Sequence, residues 1–218
     1  MNSAKYVIFD MDGVMIDSEY DHAVANIAGL KRLGIEISME YAYEFVGSTL
    51  THMMETIRAK YQMPQSISEI IQVVEEEKQK IIQRDGYRPI DGIIPLIHTL
   101  YQKGLRLAIA SSSSISNIQA VADALEISEY FEIMISGSMV KNPKPAPDIF
   151  LKAVNLLNTL PQECVVIEDS HFGVQAAKTA GIRCIGFVNP HSGNQDLSKA
   201  DLQVTHPSEC LSYILGIN

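Results

Sequence analysis

KYVIFDMDGVMIDSEY, residues 5–20, is the stretch on which the reading of this chain turns. Tyr6, Val7, Ile8 and Phe9 form an unbroken apolar run into Asp10; Asp12 and Gly13 follow after a single methionine. A short continuous run rich in β-branched and aromatic residues suits a strand covered on both faces. Each carboxylate at the end of such a strand needs water, a hydrogen-bond partner or a cation.

Runs of the same kind recur downstream: LRLAIAS at 105–111, FEIMIS at 131–136, ECVVIED at 163–169 and IRCIGFV at 182–188, with a weaker LQVT at 202–205. Helix-like segments alternate with them at 93–102, 115–126, 146–157, 170–180 and 207–215. That alternation predicts right-handed βαβ units and an α/β fold, a doubly wound, Rossmann-like parallel sheet. Residues 17–88 break the rhythm. They hold no convincing strand, whereas Ala23, Ile27, Leu30 and Leu33 fall at helical spacing, and TLTHMMETIRAKY and SISEIIQVVEEEKQKIIQR are amphipathic. The expected organisation is a discontinuous core, residues 1–16 and 89–218, with an all-helical insertion at 17–88. Residues 13–17 and 87–92 then act as linkers on which the insertion pivots, opening for substrate and closing to limit water. The run Glu75-Glu76-Glu77 reads as a solvated helix face, and Met53-Met54 as core of the insertion.

The 218 residues carry a net charge of −9, which excludes a broad nucleic-acid surface. No stretch approaches the ~20 apolar residues of a membrane helix, and the N-terminus lacks the ordered regions of a signal peptide. The expectation is a cytoplasmic monomer with no membrane partner. Cys164, Cys184 and Cys210, odd in number and widely spaced, read as reduced, buried thiols.

Ligands of open α/β sheets bind at the carboxyl ends of the strands. Asp10 and Asp12 follow the first strand, Ser111 closes the second, and Glu168 and Asp169 close the fourth; NPKPAPD at 142–148 brings Lys144 ahead of a helix. Clustered carboxylates resist joint ionisation without a cation, and hard oxygen donors favour Mg²⁺. With Mg²⁺ and Lys144 as counter-charges, Ser111 and backbone N–H groups near Gly13 and Ser112 can hold phosphoryl oxygens. An aspartate can then attack phosphorus. Asp148 reads as a cap for the helix beginning near Ala146, and Ser112, Ser113 and Ser114 as a mixed set, one or two of them capping the helix at 115.

Taken in order, DMDGVMIDS, Ser111 in ASSSS, Lys144 in NPKPAPDIF and Glu168-Asp169 in IEDSHFGVQAAKTAG resemble the four motifs of the haloacid dehalogenase superfamily over nearly the whole chain. The helical insertion after the first motif is similar to the cap of its β-phosphoglucomutase-like branch. The resemblance implies Asp10 as nucleophile and metal ligand. It implies Asp12 as general acid/base, with its backbone carbonyl on the metal, and Asp169 as a direct metal ligand. Glu168 is implied as a ligand either directly or through water, with Ser111, Ser112 and Lys144 holding the phosphoryl group. Aspartate at position 12 suits transfer from a phosphate ester. His22 matches a cap histidine near the acid/base, beside an equally good reading as a helix-surface residue.

Ser48, Leu50 and His52 lie in VGSTLTH, 46–52, where the mutase branch places an arginine that grips a distal phosphate. Leu50 falls at that position and cannot bind a phosphate dianion. The branch's cap lysine falls near Glu77 or Lys78. The reading is therefore a Mg²⁺-dependent phosphatase of a small phosphorylated metabolite, such as a sugar phosphate, working through an aspartyl-phosphate. β-Phosphoglucomutase, with Arg58, Lys78 or Arg84 replacing the missing grip, is the alternative within the family. A non-catalytic phosphosugar-binding protein is the alternative of another class.

Overall fold

The apolar runs become six parallel strands of one sheet: β1 (Tyr6–Phe9), β2 (Arg106–Ser111), β3 (Phe131–Ser136), β4 (Cys164–Glu168), β5 (Arg183–Phe187) and β6 (Leu202–Val204). They lie in the order β3-β2-β1-β4-β5-β6 in the computed structural model, which describes residues 3–45 and 50–216. This is the doubly wound arrangement in which strand order reverses beside β1. The chain forms two compact units: Met1–Asp17 with Pro89–Pro190 and Asn194–Asn218, and Ser18–Arg88 with His191–Gly193.

In the first unit, α5 (Ile93–Gln102), α6 (Ile115–Ala124), α7 (Asp148–Leu156), α8 (His171–Thr179) and α9 (Cys210–Leu215) alternate with the strands. Strand residues facing alternate sides explain how both sheet faces become buried. Ile8, Ala108, Ala110, Ile135 and Val166 join Phe150 and Ala153 of α7 and Val174 and Ala177 of α8 in one apolar cluster. The next residue in β1, Phe9, meets Phe131 edge-to-face at a centroid distance of 5.8 Å. Register decides what reaches the carboxyl edge. Phe9 pairs with Ile109 on one side and Ile167 on the other, so Asp10 emerges beside Ala110 and Glu168. Ser114 caps α6 by accepting from the Asn117 N–H.

The second unit contains α1 (Ser18–Arg32), α2 (Met39–Tyr43), α3 (Leu50–Tyr61) and α4 (Ile67–Asp85). Its core gathers Leu30, Met53, Met54, Ile57, Ile70 and Val74. Gly29 lets α1 approach α4, since a Cβ there would lie 2.7 Å from Val74 Cγ2 and 2.8 Å from Val74 Cα. Ser66 and Glu69 start α4 with a reciprocal capping box.

Two local expectations need correction. Glu76 and Glu77 are partly buried and both accept from Arg32 of α1, so this acidic run is only partly a solvated face. Asp148 does not cap its helix: Pro147 occupies the N-cap, and Asp148 Oδ1 accepts from Asn142 N and Nδ2 across the preceding loop. Residues 13–16 are more than a linker. Gly13 N donates to Ile16 O, Met15 N to Met11 O, and Ile16 bridges to Pro89. Cys164, Cys184 and Cys210 are free and buried, as read from their odd number and wide spacing. Among the described residues, no helix is long and apolar enough to cross a membrane.

Candidate active site

Asp10 leaves β1 with its backbone N–H donating to Ile167 O at 3.0 Å, which continues the sheet ladder one residue past the strand. Its side chain is buried. Lys144, carried by the loop between β3 and α7, spends its three N–H donors on three acceptors. These are Asp10 Oδ1 at 2.5 Å, Glu168 Oε1 at 2.7 Å and the Ala110 carbonyl at 3.3 Å. The Lys144 side chain is only 8% exposed, so the pairing takes place away from solvent.

Such a buried triad perturbs both kinds of charge. Burial drives the Asp10 carboxyl above the usual carboxylate range; Lys144 pulls it down, while Glu168 and Asp12 push it further up. Burial alone would lower the Lys144 ammonium, but the Asp10 and Glu168 carboxylates outweigh it and hold the pKa above the ordinary lysine value. Lys144 therefore remains charged throughout the physiological range.

Asp12 is half-buried two residues on. Its Oδ2 accepts from Ser113 Oγ at 2.8 Å and from Ser111 Oγ at 3.3 Å. Ser111 Oγ in turn accepts from the Ser113 N–H. Ser136, at the end of the neighbouring β3, donates to the Ser113 carbonyl at 2.7 Å and fixes that loop from the other side. Ser112 is exposed on the same loop. At Gly137 a Cβ would lie 3.2 Å from Ser112 Cα, so the two loops are in close contact.

Glu168 has both oxygens engaged. Oε1 accepts from Lys144, while Oε2 accepts from Ser170 N at 2.7 Å and Ser170 Oγ at 2.8 Å. Ser170 is also the N-cap of α8, its Oγ accepting from the Gly173 N–H. The carboxylate thus sits at a helix N-terminus, where negative charge is favoured. Asp169, next in sequence, is buried as well.

The donor chemistry fits a hard divalent cation. Asp10, Glu168 and Asp169 are three buried carboxylates beside half-buried Asp12, and Lys144 brings one positive charge to the group. Among the described residues, no three His, Cys, Asp or Glu side chains converge at ligand spacing. Asp10 and Asp169 could serve as carboxylate donors, and one or two carboxylates are the usual protein share of a Mg²⁺ shell.

The sequence-derived cap residues lie in the second unit. His22 is half-buried on α1, and His52 is exposed on α3. Leu50 opens α3 and packs against the apolar core of that unit. Ser48 lies outside the described residues. Sequence reasoning missed the contact of Ser113 with Asp12, because nothing in SSSS separates one serine from its neighbours. It also missed Asn189, whose buried amide donates to the Gly13 carbonyl at 2.9 Å and ties the loop after β5 to the loop after β1. Ser170 and Gly173 carried a faint signal, the S-x-x-G spacing at a helix start.

Fold and cluster define a class first: a doubly wound α/β protein whose acid–lysine cluster occupies the carboxyl edge of its sheet, where strand order reverses. The family of haloacid dehalogenase-like hydrolases matches residues 7–187, and the chain belongs to it. The phosphorylated carbohydrates phosphatase of Thermotoga maritima is 30% identical over 212 residues, spanning 95% of this chain and 97% of the relative. A Thermotoga maritima crystal structure provisionally assigned as a beta-phosphoglucomutase superposes with a TM-score of 0.85 at 29% identity, covering 98% of this chain and 100% of that one. A mutant of CbbY from Rhodobacter sphaeroides, crystallised with xylulose-(1,5)bisphosphate, gives a TM-score of 0.74 at 27% identity and covers 94% of this chain and 96% of that one.

Proposed function

We propose that this protein is a Mg²⁺-dependent phosphatase of small phosphorylated metabolites, with sugar phosphates as the favoured class. The observation that carries the reading is buried Asp10 gripped by Lys144, with Asp12 held two residues away by Ser111 and Ser113. The kinship with a phosphatase of phosphorylated carbohydrates supports the substrate class.

In this reading an Asp10 oxygen attacks phosphorus and the ester P–O bond breaks. Asp12 delivers its proton to the departing alkoxide. The resulting Asp12 carboxylate takes a proton from water, whose oxygen attacks the aspartyl-phosphate and frees Asp10. Ester and water give alcohol and inorganic phosphate. Lys144 would exchange its long bond to the Ala110 carbonyl, and Ser111 its long bond to Asp12, for phosphoryl oxygens, with Ser112 beside them. Asp10, Asp169 and the Asp12 carbonyl would hold Mg²⁺, with Glu168 a ligand either directly or through water, since its Oε1 carries only the Lys144 bond and keeps a lone pair. The bound cation supplies charge neutralisation that lets a phosphate approach the carboxylates.

The mutase alternative draws support from the provisionally assigned Thermotoga structure. Leu50 weighs against it, since a partly buried apolar side chain packed against the core of that unit offers no grip for a second phosphate. Phosphate release from a panel of phosphorylated metabolites, with Mg²⁺ and in excess chelator, tests the proposal. Release that requires Mg²⁺ is expected, with little conversion of β-glucose 1-phosphate to glucose 6-phosphate. Undiminished release in chelator, or efficient isomerisation with negligible release, overturns it.

A further inference from the structure

Gly173 lies inside α8, in ordinary helical backbone, where glycine is less favourable than alanine. Its lack of a side chain has a steric cause. A Cβ at this position would stand 1.6 Å from Glu168 Oε1, 1.8 Å from Glu168 Cδ and 2.4 Å from Glu168 Oε2. A glutamate end can normally swing aside. This one is 1% exposed and held by Lys144 Nζ, Ser170 N and Ser170 Oγ, so it has neither room nor a free bond to move with.

We infer that Gly173 is a positioning residue: the bare first turn of α8 is the seat of the Glu168 carboxylate, and through it of the Lys144 ammonium. Any side chain at this position evicts Glu168, and Lys144 then loses one of its two carboxylate partners. The ammonium, held between Asp10 and Glu168, is left with Asp10 as its one carboxylate partner and the long bond to the Ala110 carbonyl. This rests on the reading that Lys144 meets the phosphoryl group, and it adds the element of the fold that aims it.

The test is a cycle of four proteins: wild type, Gly173→Ala, Glu168→Asp and the double variant. Glu168→Asp withdraws the carboxylate by one methylene and so makes space for the new methyl. Thermal midpoints and the Kd for inorganic phosphate are measured, both independent of turnover. In the wild-type background, Gly173→Ala should lower the midpoint, contrary to the usual sign for glycine-to-alanine in a helix. It should also raise the phosphate Kd about tenfold or more, as loss of a charge-assisted contact implies. In the Glu168→Asp background the same change should leave the midpoint equal or higher. Failure of Gly173→Ala to fold, with the double variant folded, supports the inference equally. An equal drop in both backgrounds, a double variant folding no better than the single one, or a folded Gly173→Ala binding phosphate as wild type does would overturn it. Wild type that binds no phosphate would count against the functional reading of Lys144 and leave the midpoint cycle to decide the seat.

Discussion

Replacing Lys144 with methionine keeps most of the side-chain volume and removes the charge. In the metal-free protein this strands Asp10 and Glu168, which are 7% and 1% exposed, without the ammonium that bonds both. Removing one partner of a buried ion pair costs about 3–5 kcal/mol. For a chain of this size that corresponds to a midpoint drop of roughly 6–20 °C. The drop should depend on pH with a definite sign. Burial already holds the Asp10 carboxyl above its unfolded value of about 4, and Lys144 opposes that rise. Without Lys144 the folded value climbs further. Between the unfolded and folded values the native state binds more protons than the unfolded one, so stability falls as pH rises through that interval. The deficit of the variant should be largest near pH 8 and smaller near pH 5, where Asp10 takes up a proton. Thermal denaturation of both proteins by circular dichroism, in chelator at the two pH values, measures this. A deficit below about 1 kcal/mol at pH 8, or one unchanged with pH, would refute the argument that the triad is a desolvated, mutually dependent unit.

Ser113→Ala removes the shorter of the two hydroxyl contacts to Asp12 and leaves Ser111 in place. It should lower kcat about tenfold, as loss of one hydrogen bond to a charged group implies, with a smaller change in KM. Steady-state kinetics on the best substrate of the panel checks that split. The three cysteines should resist alkylation in the native state. Burial pushes the Cys164 and Cys210 thiols up to about 12 and raises Cys184 as well, so little thiolate exists at pH 8. Mass spectrometry after iodoacetamide treatment should show labelling only when denaturant is added.

The sheet was legible because a buried parallel strand announces itself as a continuous apolar run, and the candidate site because those runs stop at polar residues. Asp10, Ser111 and Glu168 could each be placed at the carboxyl edge from sequence, and Lys144 from its motif. What escaped were partners set by register and by close approach. Glu168 was read as a metal ligand, direct or through water; only the fold brings Ser170 and Lys144 to its two oxygens. Ser113 reaches Asp12 because β1 and β2 are neighbours, a pairing across 101 positions that no local pattern encodes. The acidic run on α4 looked solvated because Arg32, which binds Glu76 and Glu77, sits on a helix far away in sequence.

The central claim is that Asp10 carries the phosphoryl group. The direct measurement is a rapid quench of the protein turning over a sugar phosphate, followed by borohydride reduction and peptide mapping by mass spectrometry. Borohydride converts an aspartyl-phosphate to homoserine. The account predicts homoserine at position 10, dependent on substrate and absent from Asp10→Asn. Substrate-dependent conversion at any other aspartate, or sustained turnover by Asp10→Asn, would contradict it.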